Sequence, residues 1–183
     1  MSNQFKITLH MAASLDGMIA RTDNSVAWFE TSSPYEKGEP EKGAWEYFTT
    51  VDCYVMGART YEHAIELSKS YGWPYADVPT IVVTHKDLPV RRPNTETFSG
   101  ELAGLVNQRL KPRYNNVCVL GGAMLVKEFL RAGLADEIRM SVIPIILGDG
   151  LPFFDHIQIE QAVHLKEVKA YKNGVVELCY VIK

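Results

Sequence analysis

The chain predicts an α/β fold: a central, mostly parallel sheet flanked by about four helices, with an antiparallel C-terminal hairpin as its edge. Three observations carry that prediction. Short, apolar, β-branched runs recur along the first two thirds of the chain. Helical apolar periods separate them. The last third then turns to alternating strands around an Asn-Gly pair.

Phe5, Ile7, Leu9 and Met11 alternate with Lys6, Thr8 and His10, which predicts a first strand with one polar face. Cys53–Met56, Thr80–Thr84 and Val117–Leu120 are continuous apolar or β-branched runs, suited to strands buried on both faces of a parallel sheet. Between them, Ala44, Tyr47, Phe48 and Val51 follow the helical spacing, as do Tyr61, Ala64, Ile65 and Ser68, and Leu102, Leu105, Val106 and Leu110. Leu125/Phe129 and Val126/Leu130 mark one more helix, with Gly133 as its stop. Ile138, Met140 and Val142 alternate until Gly148-Asp149-Gly150, and Lys172-Asn173-Gly174 predicts a hairpin between the last two strands. The polar stretch Thr31 to Gly43, with Pro34 and Pro40, is expected to be a mobile connection inside a single domain spanning 1–183.

Composition excludes several function classes. A hydrophobic share of 46% and a charged share of 22% are those of an ordinary globular chain, long enough to bury a core without staples. A formal charge of −3 gives no electrostatic reason for nucleic acid or an anionic membrane as partner. Arg91-Arg92 and Lys111/Arg113 read as solvated loop charges. Cys53 and Cys118 sit in apolar runs and no C-x-x-C occurs, so buried, reduced thiols in a cytoplasmic protein are expected. The histidines and acids lack metal-ligand spacing, and the H-x-E and P-C-x-x-C signatures of zinc deaminases are missing. The polar–apolar alternation at the N-terminus argues against a secretory signal, and no apolar run has the length of a membrane span.

Gly57 and the Gly121-Gly122 pair are the most informative positions. Each follows an apolar strand and opens a helical period, which places small residues at the carboxyl ends of parallel strands, where open α/β sheets bind ligands. A helix start offers free N–H groups and a partial positive charge, both suited to phosphate. Arg59 and Thr60 add a guanidinium and a hydroxyl beside the first turn. The plainer reading is that these glycines only make tight turns. The spacing is not G-x-G-x-x-G, the first strand runs into Ser14-Leu15-Asp16-Gly17, and neither a P-loop nor a G-x-S-x-G elbow is present.

The ordered segments Ala12-Ala13-Ser14-Leu15-Asp16-Gly17-Met18-Ile19-Ala20, Val55-Met56-Gly57-Ala58-Arg59-Thr60-Tyr61-Glu62 and Val119-Leu120-Gly121-Gly122-Ala123 resemble three successive signatures of the dihydrofolate-reductase-like superfamily. With Ile146-Leu147-Gly148-Asp149-Gly150-Leu151-Pro152-Phe153-Phe154, the chain most resembles stand-alone bacterial relatives of the C-terminal reductase domain of the bifunctional deaminase-reductase of riboflavin biosynthesis. The resemblance implies a reduced nicotinamide dinucleotide, NADPH, and a small heterocyclic substrate such as 5-amino-6-(5-phosphoribosylamino)uracil. It places Ala12 and Ile19 at the nicotinamide, and Gly57, Arg59 and Thr60 at phosphate. Gly121, Gly122, Ala123 and Met124 fall at the pyrophosphate, and Thr84 and His85 at the adenosine phosphate. The family often carries arginine where this chain has Ala58; Arg59, His85 and Lys86 are the cations left to replace it. A homodimer is a further expectation of the resemblance.

On the substrate side, folate reductases hold the pterin with one carboxylate ahead of the first phosphate turn, and a gap-free count back from Gly57 puts Glu41 there. Buried, it would grip an amino-heterocycle and aid protonation; otherwise Glu41 is a solvated helix start beside Pro40. Asp16 is the second candidate acid, with a turn carboxylate as its alternative. Trp28 and Phe48 are candidates to stack on a flat substrate, and core packing is the alternative for both, as for Phe29 and Trp45. His10 and His156 have no partner motif and receive no role. The competing functions are a pyrimidine reductase acting on a ribosyl carbonyl, a dihydrofolate or pterin reductase acting on a ring imine, and a nucleotide-binding sensor without chemistry.

Overall fold

A computed structural model describes residues 5–183, apart from the side chains of Ala44 and Trp45, where the Trp45 expectation falls. Strands β1 (Lys6–Ser14), β3 (Cys53–Gly57), β4 (Thr80–Val83), β5 (Thr95–Phe98), β6 (Asn116–Val119) and β7 (Glu137–Ile143) pair in parallel. β9 (Val163–Ala170) and β10 (Val176–Ile182) complete the sheet antiparallel, in the order β5-β4-β3-β6-β1-β7-β10-β9. The short β2 (Met18–Ala20) and β8 (Leu151–Pro152) form a separate ladder. The mostly parallel sheet with an antiparallel hairpin edge is the architecture the sequence predicts.

Strand alternation sends two apolar sets to opposite faces. Ile7, Leu9, Cys53, Val55, Ile81, Val117 and Val119 pack with Leu102, Leu105, Val106 and Leu110, and with Leu125, Val126, Phe129 and Leu130. The latter sets belong to α2 (Leu102–Leu105), continued by a π-turn over Val106–Leu110, and to α3 (Ala123–Arg131). Tyr54, Met56, Val82, Cys118 and Leu120 face the other way, against Tyr61 of α1 (Ala58–Tyr71) and against Val51, Tyr47 and Phe48. The stop of α3 is as expected: Gly133 adopts φ +61° and its N–H donates to the Leu130 carbonyl at 3.1 Å. All three cysteines are buried and free. No helix among the described residues is long and apolar enough to cross a membrane.

Two local expectations are corrected. The helical period over Ala44–Val51 forms two 3-10 turns, Glu41–Trp45 and Phe48–Thr50. There Thr49 and Thr50 hydroxyls donate to the carbonyls of Glu46 (2.8 Å) and Tyr47 (2.7 Å), competing with a regular helix. The Thr31–Gly43 stretch is tied down: N–H groups of Ser33, Tyr35 and Glu39 donate to carbonyls of Asn173, Lys172 and Ala170 at 2.8–2.9 Å. The polar face of β1 is present as predicted and is largely covered: Thr8 is fully buried, and His10, against which Tyr47 and Phe48 pack, is 7% exposed.

Burial, and then the neighbouring Arg139 charge, pushes the His10 imidazole down from its ordinary 6.5 to about 3. The folded protein therefore holds His10 neutral where the unfolded chain takes up a proton. Stability from this site is complete above pH 6.5 and falls as the pH drops from 6.5 toward 3, by at most about 1.4 kcal/mol per pH unit. His10→Phe should flatten that part of the stability profile, measured by urea denaturation across the window. An unchanged slope would mean that His10 does not titrate in this way.

Candidate functional site

The site is set by where β6 enters the sheet. The chain runs from β1 outward to β3, β4 and β5, then returns to place β6 between β3 and β1. β3 ends in Gly57, β6 runs through Leu120 into Gly121-Gly122, and Gly57 and Gly122 are the N-caps of α1 and α3. The Gly57 N–H donates to the Gly121 carbonyl at 3.0 Å, and the Leu120 N–H to the Val55 carbonyl at 2.8 Å. Two helix starts thereby stand side by side. Neither carries a side-chain cap, so their first N–H groups and the positive ends of both helix dipoles converge above one sheet edge.

The three glycines have different reasons to be there. Gly121 has φ +71°, a left-handed conformation that strains any residue with a Cβ, so the backbone itself favours glycine there; a Cβ would also have to displace the flexible end of the Met11 side chain. Gly57 and Gly122 have φ of −77° and −70°, open to any residue. A Cβ on Gly57 would meet only Gly121 O at 3.8 Å and Gly122 N at 3.9 Å; on Gly122, only Thr60 Oγ1 at 3.8 Å. Folding leaves those two positions free, and what a side chain would fill there is the space above the helix starts. That is the cradle a pyrophosphate needs.

Neighbouring residues extend the cradle into a row. Thr84 and His85 follow β4, whose register with β3 sets Val83 beside Gly57. The Thr84 hydroxyl accepts from the Lys86 N–H at 3.0 Å, and His85 Nδ1 lies 3.1 Å from Ser99 Oγ. Arg59 and Met124 are exposed on the first turns, while Thr60 and Ala123 are half-buried. On β1, at the other end, Ala12 is half-buried; Ile19 is a core residue at 7% exposure. Strands β4, β3, β6 and β1 are successive neighbours, so the row spans about 14 Å.

The predicted acids and aromatics fare differently. The Asp16 carboxylate accepts from Ser14 Oγ (2.5 Å), from the Leu147 N–H (3.1 Å) and from the Gly148 N–H (2.7 Å). The Ser14 hydroxyl bond, then the two N–H bonds, hold Asp16 down at about 2. It is ionised at neutral pH with no proton to give, and it stitches the turn after β1 to the loop before β8. This is the turn-carboxylate alternative. Glu41 is exposed on the first 3-10 turn, not buried, which corrects the expectation of a sequestered acid. Trp28 is 2% exposed with Phe29 edge-on at 4.5 Å, so it packs the core and offers no face for stacking. Phe48 is half-buried, edge-on to His10 at 4.9 Å.

A polar group missed in the sequence lies on the face of β1 that carries Ala12. His10 stacks on Tyr47 at 6.1 Å, and its Nε2 is 3.4 Å from Ser141 Oγ. Arg139 lies over the Tyr47 ring at 4.5 Å and pairs with Glu177 and, at 3.1 Å, with Glu167. The period of two did place His10 on the Ala12 face. Its neighbours on β7 and β10 come from more than a hundred residues away, which no local pattern reveals.

The contrast between glycines is testable. Gly122→Val should fold with a denaturation midpoint close to the parent and lose at least tenfold in dinucleotide affinity, which corresponds to about 1.4 kcal/mol or more. Gly121→Ala should cost about 1–3 kcal/mol of stability by urea denaturation. The reverse pattern would contradict the assignment of the cradle.

Comparison with known proteins places this architecture. The RibD C-terminal domain family model matches residues 5–177. YwjB of Bacillus subtilis (strain 168), an uncharacterized protein, is 35% identical over 177 residues, covering 96% of this chain and 97% of its own. Among solved structures, a candidate riboflavin biosynthesis protein of Shewanella sp. PV-4 superposes with a TM-score of 0.81 at 22% identity, covering 98% of this chain and 99% of that one. The diaminohydroxyphosphoribosylaminopyrimidine deaminase/5-amino-6-(5-phosphoribosylamino)uracil reductase of Thermotoga maritima superposes at 0.69 and 16% identity, covering 98% of this chain and 57% of that one. By the reach of the family match and the shared topology, the chain belongs to the RibD C-terminal domain family and has its dihydrofolate-reductase-like fold.

Proposed function

We propose that this protein is an NADPH-dependent reductase of a small heterocycle of the 5-amino-6-(5-phosphoribosylamino)uracil type. The observation that carries the reading is the row from Thr84 through Gly57 and Gly122 to Ala12, in which glycine stands twice where folding does not ask for it. The activity of the Thermotoga maritima protein supplies the substrate class.

In this reading the first N–H groups of α1 and α3 bind the pyrophosphate, with Thr60 beside them. Arg59, His85 and Lys86 are the cations for an adenosine phosphate, in place of the arginine that Ala58 lacks. Ala12 offers a small, half-buried surface on which a flat nicotinamide can lie. A bound reduced nicotinamide supplies a hydride. The protein's part is to align the acceptor against it and to limit access of water. A folate-type reaction is the weaker reading, because it asks for a sequestered carboxylate and Glu41 is exposed. One observation favours a sensor without chemistry: Asp16 is held ionised by its hydrogen bonds, and Glu41 is exposed. The reading includes a two-fold homodimer, for which edge strand β9 exposes Val163, Leu165 and Val168. A monomer mass by sedimentation equilibrium at micromolar protein would remove that part.

The test is a fluorescence titration with NADPH and NADH, followed by nicotinamide oxidation with the aminopyrimidine ribosyl phosphate and with dihydrofolate. NADPH should bind well below about 1 mM, the level at which binding is worth about 4 kcal/mol. The aminopyrimidine should be the acceptor consumed. Failure of both dinucleotides to bind would overturn the reading; binding with no acceptor turned over would select the sensor.

A further inference from the structure

We infer that Ser141, oriented by His10, is the hydrogen-bonding group that recognises the substrate ring beside the nicotinamide end of the row. The inference rests on the proposed reductase reading and adds to it a residue and a substrate chemistry: a heterocycle with an amide-like N–H/C=O edge.

The placement follows from register. β1 and β7 are parallel, with Ala12 level with Ser141 and His10 level with Arg139, so all four side chains share one sheet face. Burial changes along that face. His10 and Arg139 are 7% and 8% exposed, and Ser14 and Ile143, the next level, are 1% and 6% exposed. Ala12 and Ser141, between them, are half-buried. Two of the smallest side chains thus form an accessible step between two closed ones, one strand apart. A flat ring held against Ala12 lies within reach of the Ser141 hydroxyl; Glu177, level with Ser141 on β10, is buried and its carboxylate is engaged by Arg139.

A serine hydroxyl rotates freely unless a neighbour fixes it. Here His10 Nε2, 3.4 Å from Ser141 Oγ, is that neighbour. The imidazole is itself held by Phe48 edge-on at 4.9 Å and by Tyr47, which Arg139 covers. Thr8, Tyr47, Arg139 and the Glu177 carboxylate that pairs with Arg139 are the polar groups packed around this face, and the Arg139 charge opposes a second cation. A neutral imidazole accepts or donates at Nε2 according to its tautomer. With Nε2 bare, Ser141 gives its proton to the ring and presents lone pairs to a substrate N–H. With Nε2 protonated, Ser141 accepts from the ring and points its proton at a substrate carbonyl. Either state serves one half of an amide edge; an imidazolium would allow only the second. Ser141 is therefore a specificity residue and His10 a positioning residue, and neither is asked to transfer a proton.

The test uses the intact protein with four substitutions. Ser141→Ala should raise KM for the aminopyrimidine ribosyl phosphate about tenfold, the size of one net hydrogen bond, with NADPH affinity within about twofold. Ser141→Thr should restore KM. His10→Phe, which keeps the packing, should match Ser141→Ala, His10→Gln should stay near the parent, and the Ala/Phe double variant should lose no more than Ser141→Ala alone. In parallel, the His10 ring signals are followed by NMR in the complex with oxidised NADP while the aminopyrimidine ribosyl phosphate is added. They should move in the parent and stay put in Ser141→Ala. A parent-like KM in Ser141→Ala, or an unmoved His10 signal in the parent, overturns the inference. A moving His10 signal in a protein that turns over no acceptor supports Ser141 as the ligand contact and sinks only the reductase reading.

Discussion

Everything at the site depends on one backbone hydrogen bond, from the Gly57 N–H to the Gly121 carbonyl. It continues the β3–β6 ladder beyond the regular strands and so carries their parallel register into the two turns that open α1 and α3. Without it, two helix dipoles would end near each other by accident. With it, two sets of uncapped N–H groups are fixed side by side at the place where β6 interrupts the outward order of strands. Met11 on β1 packs over Gly121 from the third strand, and the left-handed backbone there is what favours glycine.

The second organising feature is the difference between the faces of β1. One face is an apolar core in which Ile7 and Leu9 are fully buried. The other carries Thr8, His10 and Ala12, then meets Arg139 and Ser141 of β7 and Glu177 of β10. A sheet face with a buried Arg139–Glu177 pair and a neutral histidine is an expensive way to stabilise a fold, since each ion loses its water. Its arrangement does hold rotamers: Arg139 over Tyr47, Tyr47 against His10, and His10 against the Ser141 hydroxyl. Asp16 works on a neighbouring edge, as a fixed anion joining the turn after β1 to the loop that carries Leu147 and Gly148. The two ends of the row are thus built by different means: backbone N–H groups of the helix starts at one, a chain of oriented side chains at the other.

What could be read from the sequence follows the range of the forces involved. β3, β4 and β6 announce themselves because a strand buried on both faces must be apolar throughout, and α1 and α3 because their buried residues keep the helical period. Gly57 and Gly122 were legible for the same reason: strand, glycine and helix are contiguous. β5 was not, since Thr95–Phe98 is an edge strand with two exposed polar residues and too little apolar content to stand out. The polar face of β1 was legible, but its burial was not, since it depends on Tyr47, Phe48 and Arg139, brought in by other segments. Asp16 and Trp28 were visible as residues, while their partners at Leu147 and in the core were not. Local chemistry predicted the cofactor cradle; only the folded sheet joins His10 to Ser141.

The central claim is that one dinucleotide bridges both glycine-opened helices. Amide chemical-shift mapping on addition of NADPH tests it most directly. The N–H signals of Gly57, Ala58, Arg59 and Thr60 and those of Gly122, Ala123 and Met124 should shift together, along a single saturation curve. Shifts confined to one helix start, or two curves with different midpoints, would contradict it.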